Sequence, residues 1–184
     1  SLGRSDVWIG DWRLAQHGDR YQASVRGDDF AYDLALQAAA SPLLNGRDGF
    51  STKAPDPRHA SYYYSRPQLA VSGSVSLDGR TEAVTGHAWL DHEWSSELLP
   101  EGAQGWDWVG INLRDGGALM AFRLRDTSGN KQWAAASLRS TGKIDQIYKP
   151  DAVDFSPLRR WRSPRTGIDY PVAWRLKIGD REFE

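Results

Sequence analysis

The 184-residue chain contains no cysteine and a single methionine. Disulfide bridges, thiol catalysis and cysteine metal sites are therefore excluded. Neither sign of charge dominates, with 23 Lys and Arg against 24 Asp and Glu, so no long-range field attracts nucleic acid or an anionic membrane. No apolar run approaches the roughly 20 residues that span a bilayer, and no apolar leader is visible at the start. From these absences we predict that the chain has no nucleic-acid partner and no transmembrane segment.

Tryptophan is the residue type in excess, with nine in the chain. Large aromatic rings dominate protein cores and apolar ligand sites alike. The composition therefore predicts either an unusually ring-rich core or a pocket for an apolar molecule.

Hydrophobic residues alternate with a period of two along most of the chain, and no segment carries a helical stripe. In Phe30–Gln37 the alternation places Phe30, Tyr32, Leu34 and Leu36 on one face of a strand. Further strands are predicted at residues 7–12, 21–26, 61–72, 84–94, 106–113, 118–125, 132–138, 144–148 and 172–178. The pattern predicts an all-β antiparallel sandwich or barrel with under roughly a fifth of its residues helical.

Two stretches interrupt the strand pattern. Residues 41–60 are predicted to form a long loop, and residues 95–105 a connection between domains. Arg66-Pro67 is a potential break within the strand at 61–72, because proline cannot donate a ladder hydrogen bond.

The densest group of chemically active residues lies in residues 86–94 (GHAWLDHEW). Alternation divides these residues between the two faces of a strand. One face holds His87, Trp89, Asp91 and Glu93, and the other face holds Ala88, Leu90, His92 and Trp94. A carboxylate beside a tryptophan could act as a general acid, and His92 could relay a proton. A hydrogen-bonded network that only stabilises the strand is the alternative. The spacing matches no standard metal motif, so no metal is predicted.

Two aromatic motifs extend the candidate site. In Gly105-Trp106-Asp107-Trp108 the two indoles share a face and form either one wall of an apolar pocket or a plug of a barrel end. Asp107 faces the other way, as a candidate acid or a solvent-facing charge. Tyr62 and Tyr64 share a face opposite to Tyr63 and offer an apolar body with a polar tip. Arg123 and Arg125 alternate with apolar neighbours and are predicted to be surface charges.

The sequence resembles one known family, and nearly the whole chain carries the resemblance. The matching runs are residues 49–53 (GFSTK), 60–65 (ASYYYS), 86–95 (GHAWLDHEWS) and 105–108 (GWDW), with 161–163, 166–167, 170–171 and Trp174 near the end. They are similar to the AttH-like and carotenoid 1,2-hydratase (hydroxyneurosporene synthase) family, many of whose members are labelled predicted secreted hydrolases.

The resemblance implies a lipocalin-like antiparallel β-barrel architecture in two consecutive halves. Residues 1–99 are expected to be the C-terminal part of a first barrel and residues 100–184 the N-terminal part of a second. The chain is therefore expected to be a middle portion that pairs with further segments of the same protein or self-associates. A periplasmic or secreted location is implied by the resemblance alone.

The family's hydratases add water across a terminal alkene, which requires an acid and rings that shelter a cation. The family's His-x-Trp matches His92 and Trp94. Its acidic residue has no counterpart in Leu119–Arg125, so Asp91, Glu93 or Asp107 would have to replace it.

The expected function is binding of an apolar isoprenoid-like or lipid-like molecule, with or without hydratase-type or hydrolase-type proton transfer. A non-enzymatic carrier and a structural Trp-rich domain are the alternatives. No cofactor is predicted. The candidate catalytic residues are His92, Asp91, Glu93 and Asp107. The candidate ligand-binding residues are Trp94, Trp89, Trp106, Trp108, Tyr62 and Tyr64.

Overall fold

A computed structural model describes residues 4–97 and 99–184. Its strands, in chain order, are β1 (Arg4–Ile9), β2 (Trp12–His17), β3 (Arg20–Arg26), β4 (Phe30–Gln37), β5 (Leu43–Leu44), β6 (Phe50–Thr52), β7 (Ala60–Leu77), β8 (Arg80–Glu97), β9 (Gly105–Asn112), β10 (Ala118–Arg125), β11 (Lys131–Arg139), β12 (Gln146–Tyr148), β13 (Val153–Arg162), β14 (Asp169–Ile178) and β15 (Arg181–Phe183).

The all-β prediction is confirmed. Within the described residues the only helical element is the 3-10 turn Pro150–Ala152, so the helical content is far below the expected ceiling. Every strand pairing for which a register is given is antiparallel. No helix in the described part of the chain is long and apolar enough to cross a membrane.

The described residues divide into two compact units. Unit 1 consists of residues 4–42 and 65–91. Its strands pair in the order β1, β2, β3, β4 and the later part of β7, with β8 also paired to β7. The predicted face of β4 is confirmed, since Leu36 joins Tyr21, Ala38 and Leu69 in a buried cluster.

Unit 2 consists of residues 43–64, 92–97 and 99–184. It contains β5 and β6 beside the first residues of β7, a four-stranded sheet in the order β12, β11, β10, β9, and a three-stranded sheet in the order β13, β14, β15. Apolar residues of β10, β11, β13 and β14 form its buried core: Leu119, Ala121, Ala134, Ala136, Leu138, Val153, Phe155, Leu176 and Ile178.

The structure differs from the predicted strands in several places, and β8 continues to Glu97, into the predicted connection at residues 95–105. Residues 7–12 are not one strand, because the chain reverses at Gly10, whose φ of 55° suits a tight turn, and continues into β2. Pro67 does not end its strand, since β7 runs through it and adopts a left-handed φ of 55° at Gln68. Residues 41–60 contain the short strands β5 and β6. The strand β13 was absent from the prediction, because the arginines of its second half break the apolar alternation.

The predicted domain boundary near residue 99 stays a prediction. The chain passes from one unit to the other at residues 42–43, 64–65 and 91–92, so both units contain segments from residues 1–99.

Candidate functional site

A row of five aromatic rings lies along one face of β6, β7 and β8 in unit 2. We call it the ring row, and its members are Phe50, Tyr62, Tyr64, His92 and Trp94. Phe50 meets Tyr62 edge to face, with ring centroids 5.8 Å apart, and Tyr62 stacks on Trp94 at 5.6 Å. Trp94 meets His92 edge to face at 5.0 Å, and His92 lies 5.2 Å from Tyr64. The Tyr64 hydroxyl is also within hydrogen-bonding distance of His92 Nδ1, at 3.1 Å.

Strand register explains why these rings meet. Phe50 is the antiparallel partner of Tyr62, so the two side chains leave the sheet on the same side. A tight turn at Gly46 precedes β6. This turn requires glycine, because its φ is 76° and a Cβ there would collide with the Phe50 carbonyl. Tyr62 and Trp94 remain 55% and 51% exposed, which is high for such large rings.

The opposite face of the same strands holds an ion pair whose lysine is buried. Lys53 follows β6, is only 5% exposed, and places Nζ 2.8 Å from a carboxylate oxygen of Glu93. Lys53 also donates to Ser51 Oγ at 2.9 Å, and Ser61 donates to Glu93 at 2.5 Å. Ser51 and Ser61 are register partners, so the two hydroxyls and the ion pair share one side of the sheet.

Burial determines the electrostatics of this pair. Desolvation lowers the pKa of Lys53, and the hydrogen bond and charge of Glu93 only partly oppose that effect. The ammonium also lies 4.2 Å from the centroid of the Phe122 ring and 5.2 Å from that of Tyr63, within the range of cation-π attraction.

A cavity of about 140 Å³ opens beside this ion pair, within unit 2. We call it the aromatic cavity, and it is lined chiefly by Lys53, Glu93, Tyr63, Trp106, Trp108, Phe122 and Leu124. Trp108 is the register partner of Phe122, and Trp106 that of Leu124, so these four side chains share one face of β9 and β10. The Trp108 indole donates to the Tyr63 hydroxyl at 3.0 Å and fixes that wall.

Asp107 faces away from the two indoles, as predicted, but it is not a solvent-facing charge. Its side chain is only 13% exposed and accepts hydrogen bonds from Arg123 at 2.6 Å and Arg125 at 3.0 Å. Arg123 in turn donates to the Phe155 carbonyl. The prediction that both arginines are plain surface charges is therefore wrong, and this network favours a structural role for Asp107.

Asp91 and Trp89 belong to unit 1. The Asp91 carboxylate accepts from the Trp89 indole at 2.8 Å and from Ser65 at 2.6 Å. Two neutral donors on one oxygen hold this carboxylate in place.

The structure thus separates the predicted site residues into groups. His92, Trp94, Tyr62 and Tyr64 lie together in the ring row, whereas Glu93, Trp106 and Trp108 line the aromatic cavity. Within the described residues no group of three or more His, Asp or Glu could hold a metal ion together.

Sequence reasoning missed Lys53 and the two buried serines as parts of a site. The lone lysine in a Gly-Phe-Ser-Thr-Lys run was visible, but its partner Glu93 lies 40 positions further on. Only the register of β6 on β7 brings Ser51 and Ser61 beside that pair.

Antiparallel sheets of this arrangement define an all-β protein of the lipocalin-like class. The chain belongs to the AttH-like family, whose family model matches residues 1–184. The expected family and fold are thereby confirmed.

The solved structures that are similar to the chain include the following two. One is a crystal structure assigned to AttH from Nitrosomonas europaea, at 45% identity and a TM-score of 0.93 over 97% of this chain. The other is kievitone hydratase from Nectria haematococca, at 18% identity and a TM-score of 0.76 over 96% of this chain, which shows the fold alone. The chain spans 56% and 55% of the lengths of these two proteins. No curated protein matches the sequence.

Proposed function

We propose that the ring row binds an apolar small molecule of the isoprenoid or lipid class. The observation that carries this proposal is the exposure of a continuous aromatic surface, with Tyr62 and Trp94 each about half open to solvent. Contiguous exposed apolar surface marks binding sites more often than it serves stability. A flat or chain-like apolar ligand would cover these rings and remove them from water.

The row also contains one imidazole, that of His92. His92 lies between Trp94 and Tyr64, so a ligand on the rings would meet a single imidazole in an otherwise apolar surface. The Tyr64 hydroxyl fixes the orientation of that imidazole from one side. This composition suits a ligand with a long apolar part and one polar or reactive position.

A hydratase-type reaction is the second candidate function. It is favoured by the His92 to Tyr64 hydrogen bond, since an imidazole held by a hydroxyl is a suitable proton relay. The name of kievitone hydratase, on a protein of the same fold, is consistent with addition of water, although fold alone does not decide function. Specificity for a carotenoid and an exported location belong to the same proposal.

Binding is tested with Trp94→Ala and an apolar fluorophore such as N-phenyl-1-naphthylamine. We expect Trp94→Ala to weaken binding at least roughly tenfold, because a ligand-covered indole contributes about 1.5 to 3 kcal/mol of apolar burial. Trp161→Ala is the matched control, since Trp161 is 52% exposed and lies beside a tyrosine ring elsewhere in unit 2. Equal affinities for the two variants, with the fold preserved, would refute the assignment.

Catalysis is tested by incubating the protein with an isoprenoid alkene in ¹⁸O-labelled water and searching for the labelled alcohol by mass spectrometry. His92→Gln should abolish turnover, and it should weaken fluorophore binding less than Trp94→Ala does. Absence of labelled alcohol with every alkene that binds would leave a carrier as the function.

A further inference from the structure

The aromatic cavity is separate from the ring row, because successive residues of a strand point to opposite faces. Tyr63 and Glu93 line the cavity, whereas their chain neighbours Tyr62 and Trp94 stack in the row. Nothing in the proposed function uses the cavity. A half-open aromatic pocket with a buried amine among its lining residues is therefore a second candidate site.

The size of the cavity restricts its occupant. At about 140 Å³ it is close to the roughly 150 Å³ of an apolar cavity that accepts benzene. Trp106 and Trp108 provide ring faces, and Phe122 and Leu124 provide a buried apolar base. A single aromatic ring fits such a space.

The polar groups of the cavity restrict the chemistry of that ring. A carboxylate on the ligand would be repelled by Glu93, and an ammonium would be repelled by Lys53, because the two charges lie only 2.8 Å apart. A neutral ring with a carbonyl group avoids both repulsions. Its oxygen can accept a hydrogen bond, and its carbon is open to attack by an amine.

We propose that the aromatic cavity binds a ring-sized aromatic aldehyde and that Lys53 condenses with it to form an imine. The Nζ lone pair bonds to the carbonyl carbon as the C=O π bond breaks. Two protons leave the nitrogen and end on the departing oxygen, so one water is released for each C=N bond formed. Glu93 touches Nζ and is placed to carry these protons from nitrogen to oxygen.

The surroundings of Lys53 favour this step. Only the neutral amine is nucleophilic, and burial lowers the pKa of Lys53, which increases the neutral fraction relative to an exposed lysine. Ser51 and Glu93 hold Nζ in one position at the end of the cavity, so little ordering is needed before the attack.

The test is reductive trapping of the imine on the whole chain. The protein is incubated with benzaldehyde and sodium cyanoborohydride at neutral pH, and the benzylated lysines are located by peptide mass spectrometry. We expect Lys53 to be modified at least about tenfold faster than the exposed Lys143, despite its burial. Labelling of Lys53 at a rate equal to or below that of Lys143 overturns the proposal.

Two controls separate ring binding from general lysine reactivity. Formaldehyde carries no ring, so its preference for Lys53 over Lys143 should be several-fold smaller than that of benzaldehyde. Trp106→Ala removes a largely exposed wall of the cavity, which the fold should tolerate, and should reduce benzaldehyde labelling of Lys53 without changing that of Lys143. An unchanged Lys53 rate in a folded Trp106→Ala protein contradicts binding in the cavity.

Discussion

The two faces of the sheet formed by β6, β7 and β8 in unit 2 differ in how far they expose neighbouring residues to solvent. Tyr62 is 55% exposed, whereas Tyr63, the next residue, is 3% exposed. On β8, Glu93 is bound to a buried lysine, whereas Trp94 stacks in the open. One face therefore holds the buried Tyr63 and Lys53, the latter paired with Glu93, and the other presents rings to solvent.

This contrast separates stability from binding. A tyrosine with half of its surface exposed forgoes on the order of 1 to 2 kcal/mol of apolar stabilisation relative to full burial. The ring row accepts that loss at several adjacent positions, which is expected of a surface that is covered by a ligand. The following predictions test the contrast, in order of decreasing effect on the free energy of unfolding.

The largest loss of stability is expected for Tyr63→Ala. The substitution empties a buried aromatic position and removes the acceptor of the Trp108 indole hydrogen bond. Such changes cost about 3 to 5 kcal/mol. Urea unfolding followed by tryptophan fluorescence measures the effect, and a loss below about 1 kcal/mol would show that this face is not the stabilising one.

The alternation that separates the faces could be predicted from the sequence. It correctly placed Tyr62 and Tyr64 together, set Tyr63 apart, and paired His92 with Trp94, because side chains along a strand alternate strictly. The all-β fold followed from the same period and from the turn residues.

The contacts across strands could not be predicted in this way. The Lys53 to Glu93 pair depends on the register of β6 against β7 and on the pairing of β7 with β8, neither of which leaves a local signal. Asp107 shows the same limit, since its charge indicated solvent until the register placed Arg123 directly opposite.

The second-largest effect is expected for Glu93→Gln. It leaves the buried ammonium of Lys53 without its counter-charge, and breaking a buried pair costs about 3 to 5 kcal/mol. Because Glu93 is about one-third exposed, we expect the lower part of that range or slightly less. Lys53→Met in the Glu93→Gln background is the control: it should restore stability relative to Glu93→Gln alone. No restoration would mean that the uncompensated charge is not the cause.

A smaller effect is expected from pH. Burial lowers the pKa of Lys53 below its ordinary value of 10.5, so the unfolded chain binds more protons at this site between the lowered pKa and 10.5. Stability from this group therefore rises with pH across that window and is constant below it. The free energy of unfolding of the unaltered protein should increase relative to that of Lys53→Met between pH 7 and pH 10.5. A difference that falls with pH would contradict the depressed pKa.

The smallest effect on stability is expected for Tyr62→Ala, the counterpart of Tyr63→Ala on the open face. Its ring is half exposed and its contacts are with Phe50 and with the equally exposed Trp94, so truncation should cost at most about 1 kcal/mol. Fluorophore binding should nevertheless weaken several-fold, because the stacked pair would lose one of its two rings. Tyr170→Ala, which removes an exposed tyrosine beside Trp161, is the control and should leave binding unchanged. Urea unfolding and a fluorophore titration on the same samples measure both quantities. A loss of stability similar to that of Tyr63→Ala, with unaltered binding, would mean that both faces stabilise the fold and that the ring row is part of the core.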